Sequence, residues 1–273
     1  MNISLTGAGN QAVIMALVLL TLAGCSVKDN FTFFPDRSSS IPKAEIPSFV
    51  SEHKISTPDS ETIQSFYFKH PDQTTRPLII YFHGNAGNLY HRFDAAYRLH
   101  QMNQNVLLVS YRGYAKSTGK PTEQGIYLDG EAAVNYAIES LAYNENEISI
   151  LGRSLGSAVA VHISQNRNFR SLILITPMTS GSDMAVAMGL GWLKFIAGNS
   201  YNSLDKINNI KSPVLIIHGD RDEVVPYHMG TRLFEEFNGV KFMVTIENGR
   251  HNDLQEVNPE LFWGEIERFL AGD

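Results

Sequence analysis

A repeated alternation of short apolar segments with longer amphipathic segments, from residue 53 onward, restricts the fold more than any other feature of this chain. The apolar segments are nearly continuous, as expected of strands that are covered on both faces. Parallel strands of this kind are joined by right-handed crossovers, usually through helices. The pattern therefore predicts an α/β fold with a doubly wound, mainly parallel sheet. The predicted strands are 78–82, 106–110, 147–151, 172–175, 214–218 and 241–246, with an edge hairpin within 53–69.

The alternation has one long interruption, at about residues 176–211, which is rich in Met and large apolar side chains. Because it lies between two predicted strands, it is expected to form a small cap over the carboxyl edge of the sheet. One extra amphipathic helix packed on the core is an equally good interpretation. The rest of 53–273 is expected to form one domain, as its length allows.

The N-terminus has the pattern of a targeting segment. Residues 12–23 are apolar except for Thr21, a run too short to span a bilayer comfortably but suited to a signal peptide. The run ends in LAGC at residues 22–25, which resembles a bacterial lipobox, and Cys25 is the one cysteine of the chain. We therefore expect a signal peptide over 1–24 and a lipid-modified Cys25.

A lipidated tether over 25–52 would then hold the protein to a membrane, in the bacterial cell envelope. Ser26 after the cysteine indicates the outer membrane if the host is Gram-negative. The first ten residues contain no Lys or Arg, unlike a typical signal peptide. An uncleaved anchor or a chance apolar run therefore remain alternatives.

Composition excludes several classes of partner. The net charge is −6 and no cluster of Lys and Arg is present, so no nucleic-acid partner is predicted. A single cysteine allows no disulfide within the chain. Neither CxxC nor HExxH occurs, so no metal site and no cofactor are predicted.

The motif GRSLG at residues 152–156 carries the predicted chemistry. It directly follows a predicted strand and opens a predicted helix, which is the arrangement of a nucleophile elbow. The tight turn requires small residues on both sides of Ser154, and the helix N-terminus favours negative charge there. We therefore predict that Ser154 is a nucleophile.

A serine nucleophile needs a base and a carboxylate that orients it. His251 lies in the loop between the last predicted strand and the last helix, at the sheet edge that also holds the elbow. The carboxylate should lie between Ser154 and His251 in the chain. The segment 218–226 offers three carboxylates after a strand, Asp220, Asp222 and Glu223, and spacing alone leaves Asp220 and Asp222 nearly tied.

The oxyanion that forms during acyl transfer needs backbone donors. One is expected from the N–H of Leu155, and the other from the loop HGNAGN at residues 83–88, with Asn85 as the natural donor position. A phosphate cradle is the rival interpretation of this loop, but the chain has neither GxGxxG nor a P-loop lysine.

Residues 53–271 together resemble the α/β-hydrolase superfamily. They are most similar to a subgroup with HGNAGN, YRGYGxSxGxP, GxSLG, HGxxDxxVP and GHND, which includes membrane-associated hydrolases that remove palmitate from protein cysteines. The resemblance implies Asp222 as the orienting carboxylate and His251 as the base. Two residues depart from the pattern, since Ala115 and Arg250 each replace a glycine.

The expected function is hydrolysis of a carboxylic ester or thioester through an acyl-enzyme, on a small-molecule or acylated substrate. An apolar acyl group at a membrane surface suits a Met-rich cap, because Met adapts to varied shapes. A peptidase acting on short peptides is the alternative that uses the same groups. A lipid-anchored binding protein without catalysis is the alternative from another class.

Overall fold

The computed structural model describes residues 32–38, 46–72, 76–191 and 198–272. Its described strands are β1 (Val50–Ser56), β2 (Thr62–Phe68), β3 (Leu78–Phe82), β4 (Asn105–Val109), β5 (Ile148–Arg153), β6 (Ser171–Ile175), β7 (Val214–Gly219) and β8 (Lys241–Ile246). They form one sheet in the order β1-β2-β4-β3-β5-β6-β7-β8. The β1–β2 and β2–β4 pairs are antiparallel and all the others are parallel, which confirms the predicted mainly parallel sheet.

Helices cover both faces of the sheet, as predicted for a doubly wound fold. Alternate residues of β3 point to opposite faces, so Ile80 belongs to one apolar core and Tyr81 to the other. The described helices are α1 (Phe93–Gln101), α2 (Glu123–Glu139), α3 (Leu155–Ser164), α4 (Gly181–Ala187), α5 (Tyr227–Glu236), α6 (Leu254–Val257) and α7 (Pro259–Ala271), with 3-10 turns at Leu89–Arg92, Glu145–Glu147 and Ile207–Asn209. Helices α2, α3 and α5 pack on the first face, and α1 and α7 on the second.

The direction of winding reverses at β3, because β4 pairs on one side of it and β5 on the other. Ligand sites of open α/β sheets lie at such a switch point, outside the carboxyl ends of the strands. The loops that follow β3 and β5 therefore begin side by side. The loops after β7 and β8 open on the same edge, since these strands run in the same direction.

The insertion between β6 and β7 contains one described α-helix, α4. Ser180 caps its N-terminus, and none of its residues is fully buried. This exposure favours a surface insertion over a helix packed deep on the core. Residues 192–197 of the predicted cap lie outside the described residues.

The folded domain begins earlier than the predicted boundary at residue 53. Strand β1 starts at Val50, where Val50 pairs with Phe68 of β2 and both side chains are buried. Residues 32–38, which lie within the predicted tether of 25–52, also pack on the domain, where Phe33 is buried in the first core. The predicted signal peptide and Cys25 lie outside the described residues, and no helix within the described ranges is long and apolar enough to cross a membrane.

Candidate active site

The turn between β5 and α3 is a strained elbow with Ser154 at its tip. Ser154 has φ 53° and ψ −118°, a backbone conformation that non-glycine residues rarely adopt. A Cβ at position 156 would lie 2.2 Å from the carbonyl oxygen of Phe82, and one at position 152 would lie 2.4 Å from that of Gly156. Both glycines are therefore required, as the motif predicted.

The side chains of Ser154, His251 and Asp222 lie in one hydrogen-bonded line. His251 Nε2 is 3.1 Å from Ser154 Oγ, and His251 Nδ1 is 2.8 Å from Asp222 Oδ2. Because a carboxylate accepts hydrogen bonds, Nδ1 carries the proton and Nε2 is left to accept one from the serine hydroxyl. The structure thus brings together the three side chains that the sequence and the resemblance indicated.

Asp222 is surrounded by donors. Its Oδ1 accepts hydrogen bonds from the backbone N–H groups of Val224 and Val225, at 2.9 and 2.8 Å. Burial raises the pKa of Asp222, but hydrogen bonds from His218 and His251 outweigh it and hold that pKa below its usual range. Asp222 is therefore an anion and can stabilise a positive charge on the ring of His251.

Two neighbouring carboxylates have other roles. Asp220 Oδ1 accepts a hydrogen bond from the backbone N–H of Asn248 at 2.6 Å, and Glu223 Oε2 accepts one from the N–H of His251 at 3.4 Å. Asp220 and Glu223 thus contact the backbone of the loop that carries His251, whereas Asp222 contacts its ring. The near tie between Asp220 and Asp222 is resolved in favour of Asp222 as the partner of the imidazole.

His218 is a second histidine at this carboxylate, and the sequence pattern showed it only as the end of a strand. It is fully buried, and its Nε2 lies 2.9 Å from the carbonyl oxygen of Val225 and 3.3 Å from Asp222 Oδ2. Since both oxygens accept, Nε2 carries the proton. A Cβ on Gly230 would lie 2.4 Å from the other ring nitrogen, so the histidine is closely packed. The sequence signal that could have indicated this role of His218 is the His-Gly pair at 218–219, shortly before Asp222.

The loop after β3 lies against the nucleophile. A Cβ at Gly84 would lie 3.4 Å from Ser154 Cβ. Leu155 is the first residue of α3, so its N–H has no acceptor within that helix. The side chain of Asn85 is occupied elsewhere, because its Oδ1 accepts hydrogen bonds from Phe34 N–H at 3.0 Å and from the Tyr114 hydroxyl at 2.8 Å. Only the backbone N–H of Asn85 therefore suits the predicted role of oxyanion donor.

Residues 32–38, here named the N-terminal strap, hold the outer side of this loop. The Asn85 amide donates to the carbonyl oxygen of Thr32, and Pro35 forms a bridge with Gly87. The Asn88 amide donates to the carbonyl oxygens of Asp36 and Ser38, at 3.1 and 2.8 Å. Sequence reasoning allowed for packing of Phe33 and Phe34 on the domain, and of these Phe33 is buried whereas Phe34 is exposed. It did not predict the contacts with this loop, because nothing in the composition of the strap indicates a partner fifty residues away.

His83 supports the same loop from inside the protein. Its ring is fully buried, and burial lowers its pKa to about 4. The neutral ring donates from Nδ1 to the carbonyl oxygen of Gly84 at 2.6 Å, and the hydroxyl of Tyr111 donates to the carbonyl oxygen of His83 at 2.9 Å. These bonds fix the backbone direction at the start of the loop.

The two departures from the subgroup pattern differ in consequence. Ala115 has φ 46°, in the left-handed region that favours the glycine usual at this position. Its N–H donates to the carbonyl oxygen of Asp36 in the strap at 2.8 Å. Arg250 is exposed, and its backbone N–H donates to Asp253 at 2.6 Å. Neither departure displaces one of the three aligned side chains.

Arg153, beside the nucleophile, contacts the loop that carries His251. Its Nη2 donates to the carbonyl oxygen of His251 at 3.0 Å and to Asn252 Oδ1 at 3.2 Å. The elbow and the histidine loop are therefore joined directly. Within the described ranges, no group of three His, Cys, Asp or Glu side chains is arranged to hold a metal ion.

Comparison with known proteins identifies a matching family. The model of the prolyl oligopeptidase family matches residues 112–252, which is more than half of the chain. The chain belongs to this family. It is therefore a hydrolase of the α/β-hydrolase class, as the resemblance implied. The matched residues include the elbow and the loops that carry Asp222 and His251.

Individual relatives match different shares of the chain. An uncharacterized protein of Mycobacterium tuberculosis is 29% identical over 265 residues, covering 94% of each chain. Protein bem46 of Schizosaccharomyces pombe is 35% identical over 181 residues, covering 63% of this chain and 60% of its own. The solved structure of a Pyrococcus furiosus esterase superposes with a TM-score of 0.71 at 22% identity, covering 88% of this chain and 97% of the esterase. This last likeness confirms the fold.

Proposed function

We propose that this hydrolase cleaves a carboxylic ester or thioester through an acyl-enzyme on Ser154. The observation that carries the proposal is the position of the His251 ring, whose two nitrogens are within hydrogen-bond distance of Ser154 and of the anionic Asp222. A serine hydroxyl becomes a strong nucleophile only when such a base can take its proton.

Each step follows from a named contact. His251 Nε2 accepts the proton as Ser154 Oγ attacks the carbonyl carbon, and Asp222 stabilises the resulting imidazolium. The backbone N–H groups of Leu155 and Asn85 are the proposed donors to the developing oxyanion. His251 then gives the proton to the leaving alcohol or thiol. In the second half it activates a water molecule, which releases the carboxylate and restores Ser154.

The proposed substrate carries an apolar acyl chain, such as palmitate, at a membrane surface. Support comes from large apolar side chains that are exposed on the strap and on the insertion after β6. Phe34 of the strap is 62% exposed, and Val186 and Met188 of the insertion are 55% and 64% exposed. Lipidation of Cys25, and with it location in the cell envelope, belongs to this proposal. An anchor there would hold the edge near the bilayer, because the strap begins seven residues after Cys25.

The second candidate is a peptidase acting on short peptides. The family name favours it, since the matching family is that of the prolyl oligopeptidases. Amide hydrolysis uses the same nucleophile, base and oxyanion donors. The two candidates differ in the leaving group that His251 must protonate, so substrate series separate them.

The test is labelling of the protein with a fluorophosphonate probe, followed by substrate series on enzyme that has not been treated with the probe. We expect labelling of the wild type and of Ser140→Ala, an exposed serine at the end of α2, and none of Ser154→Ala. Esters and thioesters of increasing chain length are then compared with proline-containing peptide amides. A folded wild type that takes no label would overturn the hydrolase mechanism and favour a binding protein.

A further inference from the structure

A cavity of about 130 Å³ opens on the face of the sheet that carries α1 and α7. Arg153 and Asn252 line it, so it adjoins the elbow and the histidine loop, but Ser154 and His251 are not among its lining residues. Its inner wall consists of buried apolar side chains from the sheet and from both helices. These are Leu99, Leu151, Ile175, Leu254, Phe262 and Ile266.

Two guanidinium groups face the outer part of the cavity. Arg92 donates to the carbonyl oxygens of His91 and Ala86, each at 3.2 Å, and its buried Nε has no protein partner. Arg153 donates to the carbonyl oxygen of His251 and to Asn252, as described above. Within the described ranges, neither guanidinium is paired with a carboxylate.

The electrostatic balance of the cavity favours an anion. Burial lowers the pKa of Arg92, and the nearby charge of Arg153 acts in the same direction. Asp94 is the one carboxylate among the lining residues that the structure describes, and it is exposed at the rim. Two cations against one exposed anion leave a net positive charge, and an incoming anion would relieve the repulsion between the two arginines.

We propose that this cavity binds a carboxylate attached to a short apolar chain, at a site separate from Ser154. The carboxylate would pair with Arg92 and Arg153, because a guanidinium matches the geometry of a carboxylate with two parallel hydrogen bonds. The chain would lie against the apolar inner wall. The two arginines that would pair with the ligand carboxylate also donate to backbone carbonyl groups on either side of the nucleophile. Arg92 donates to that of Ala86 and Arg153 to that of His251.

The test is isothermal titration of the full chain carrying Ser154→Ala with sodium hexanoate. Hexan-1-ol supplies the tail without the charge, and inorganic phosphate supplies charge without the tail. We expect hexanoate to bind in a 1:1 ratio and both comparators to bind at least about tenfold more weakly. Absence of binding at about 10 mM hexanoate, or equal binding of either comparator, would overturn the proposal.

Variants with opposite expected effects complete the test. Arg92→Met should weaken hexanoate binding about tenfold or more, whereas Asp94→Asn should strengthen it roughly two- to threefold. Because Asp94 is exposed, its variant is expected to fold even if Arg92→Met does not. Unchanged affinity in Asp94→Asn would count against the site. Wild-type protein labelled at Ser154 should bind hexanoate as tightly as Ser154→Ala, and loss of binding there would place the ligand in the active site instead.

The titrations of Ser154→Ala and of the Arg92 and Asp94 variants need neither turnover nor labelling, so failure of the proposed esterase activity would leave these binding results intact. Conversely, an active esterase that does not bind hexanoate in the cavity would overturn only the second site. The two proposals are therefore distinguishable by the same protein preparation.

Discussion

The two loops that flank Ser154 are held in different ways. One side, here named the base side, consists of the loops after β7 and β8 that carry Asp222 and His251. The contacts of Asp222 there come from strand β7 and from these two loops, through His218, Val224, Val225 and His251. The other side, here named the oxyanion side, is the loop over 83–88 that carries the proposed oxyanion donor. The strap contacts this loop, although its residues are about fifty positions away in the chain.

This difference has a mechanical consequence. Neighbouring parallel strands bring the base side together as soon as the sheet forms. The oxyanion side also needs a segment that belongs to no strand of the sheet. Changes in the strap should therefore affect stabilisation of the transition state more than they affect the hydrogen bond between Ser154 and His251.

The largest expected effect is on the base side. Asp222→Asn removes the charge that stabilises the imidazolium and allows the wrong tautomer, so kcat/KM should fall by about 10⁴-fold. Asp220→Asn, which changes a carboxylate that contacts only the backbone of Asn248, is the matched control and should cost less than about tenfold. Steady-state kinetics on an activated ester measures both, and equal losses in the two variants would refute the assignment of Asp222.

The next effect concerns the buried ring of His83 on the oxyanion side. Its folded pKa of about 4 lies below the ordinary value of 6.5, so the unfolded chain binds the additional proton between these pH values. The contribution of His83 to the free energy of unfolding should therefore be fully present above pH 6.5. It should be lost as the pH falls towards 4, a decrease of about 3 kcal/mol.

The measurement is urea unfolding at a series of pH values, compared with His83→Asn, whose amide can still donate to Gly84. The variant should lose this part of the pH dependence, while His228→Asn, an exposed histidine, should keep it. A difference between wild type and His83→Asn that does not change with pH would show that burial of a neutral His83 is not the cause.

A smaller effect should distinguish the two sides directly. Asn85→Ala removes the side chain that joins the loop to the strap and to Tyr114. The backbone N–H of residue 85 is kept but its loop is less firmly held, so we expect kcat to fall by about tenfold with KM little changed, less than the roughly 10²-fold of a deleted oxyanion donor. The rate of fluorophosphonate labelling should also fall, and Asn135→Ala on the exposed face of α2 is the control. A change in KM alone would indicate a role in substrate binding.

The smallest effect is at Ala115, in the loop that contacts the strap. Ala115→Gly should relieve the left-handed backbone strain at φ 46°, partly offset by the greater freedom of glycine in the unfolded chain. The net stabilisation should be about 0.5 kcal/mol, measured by urea unfolding. Ala132→Gly within α2 is the control and should destabilise instead, by roughly 1 kcal/mol.

The position of the nucleophile could be predicted because its determinants are adjacent in the chain. A strand, two glycines and a helix around Ser154 leave little freedom in the turn. The choice between Asp220 and Asp222 could not be made from spacing. It depends on the shape of one loop, in which the N–H groups of Val224 and Val225 turn Asp222 towards His251.

The sequence by itself determined the alternation of strands and helices, the elbow at Ser154 and the loop that carries His251. These follow from hydrophobic periodicity and from short motifs, which act between residues close in the chain. The tertiary structure alone decided the start of the domain at β1, the second histidine at Asp222, the strap on the oxyanion loop and the cavity beside Arg92. Each of these depends on contacts between distant segments, and such contacts leave no local pattern in a single sequence.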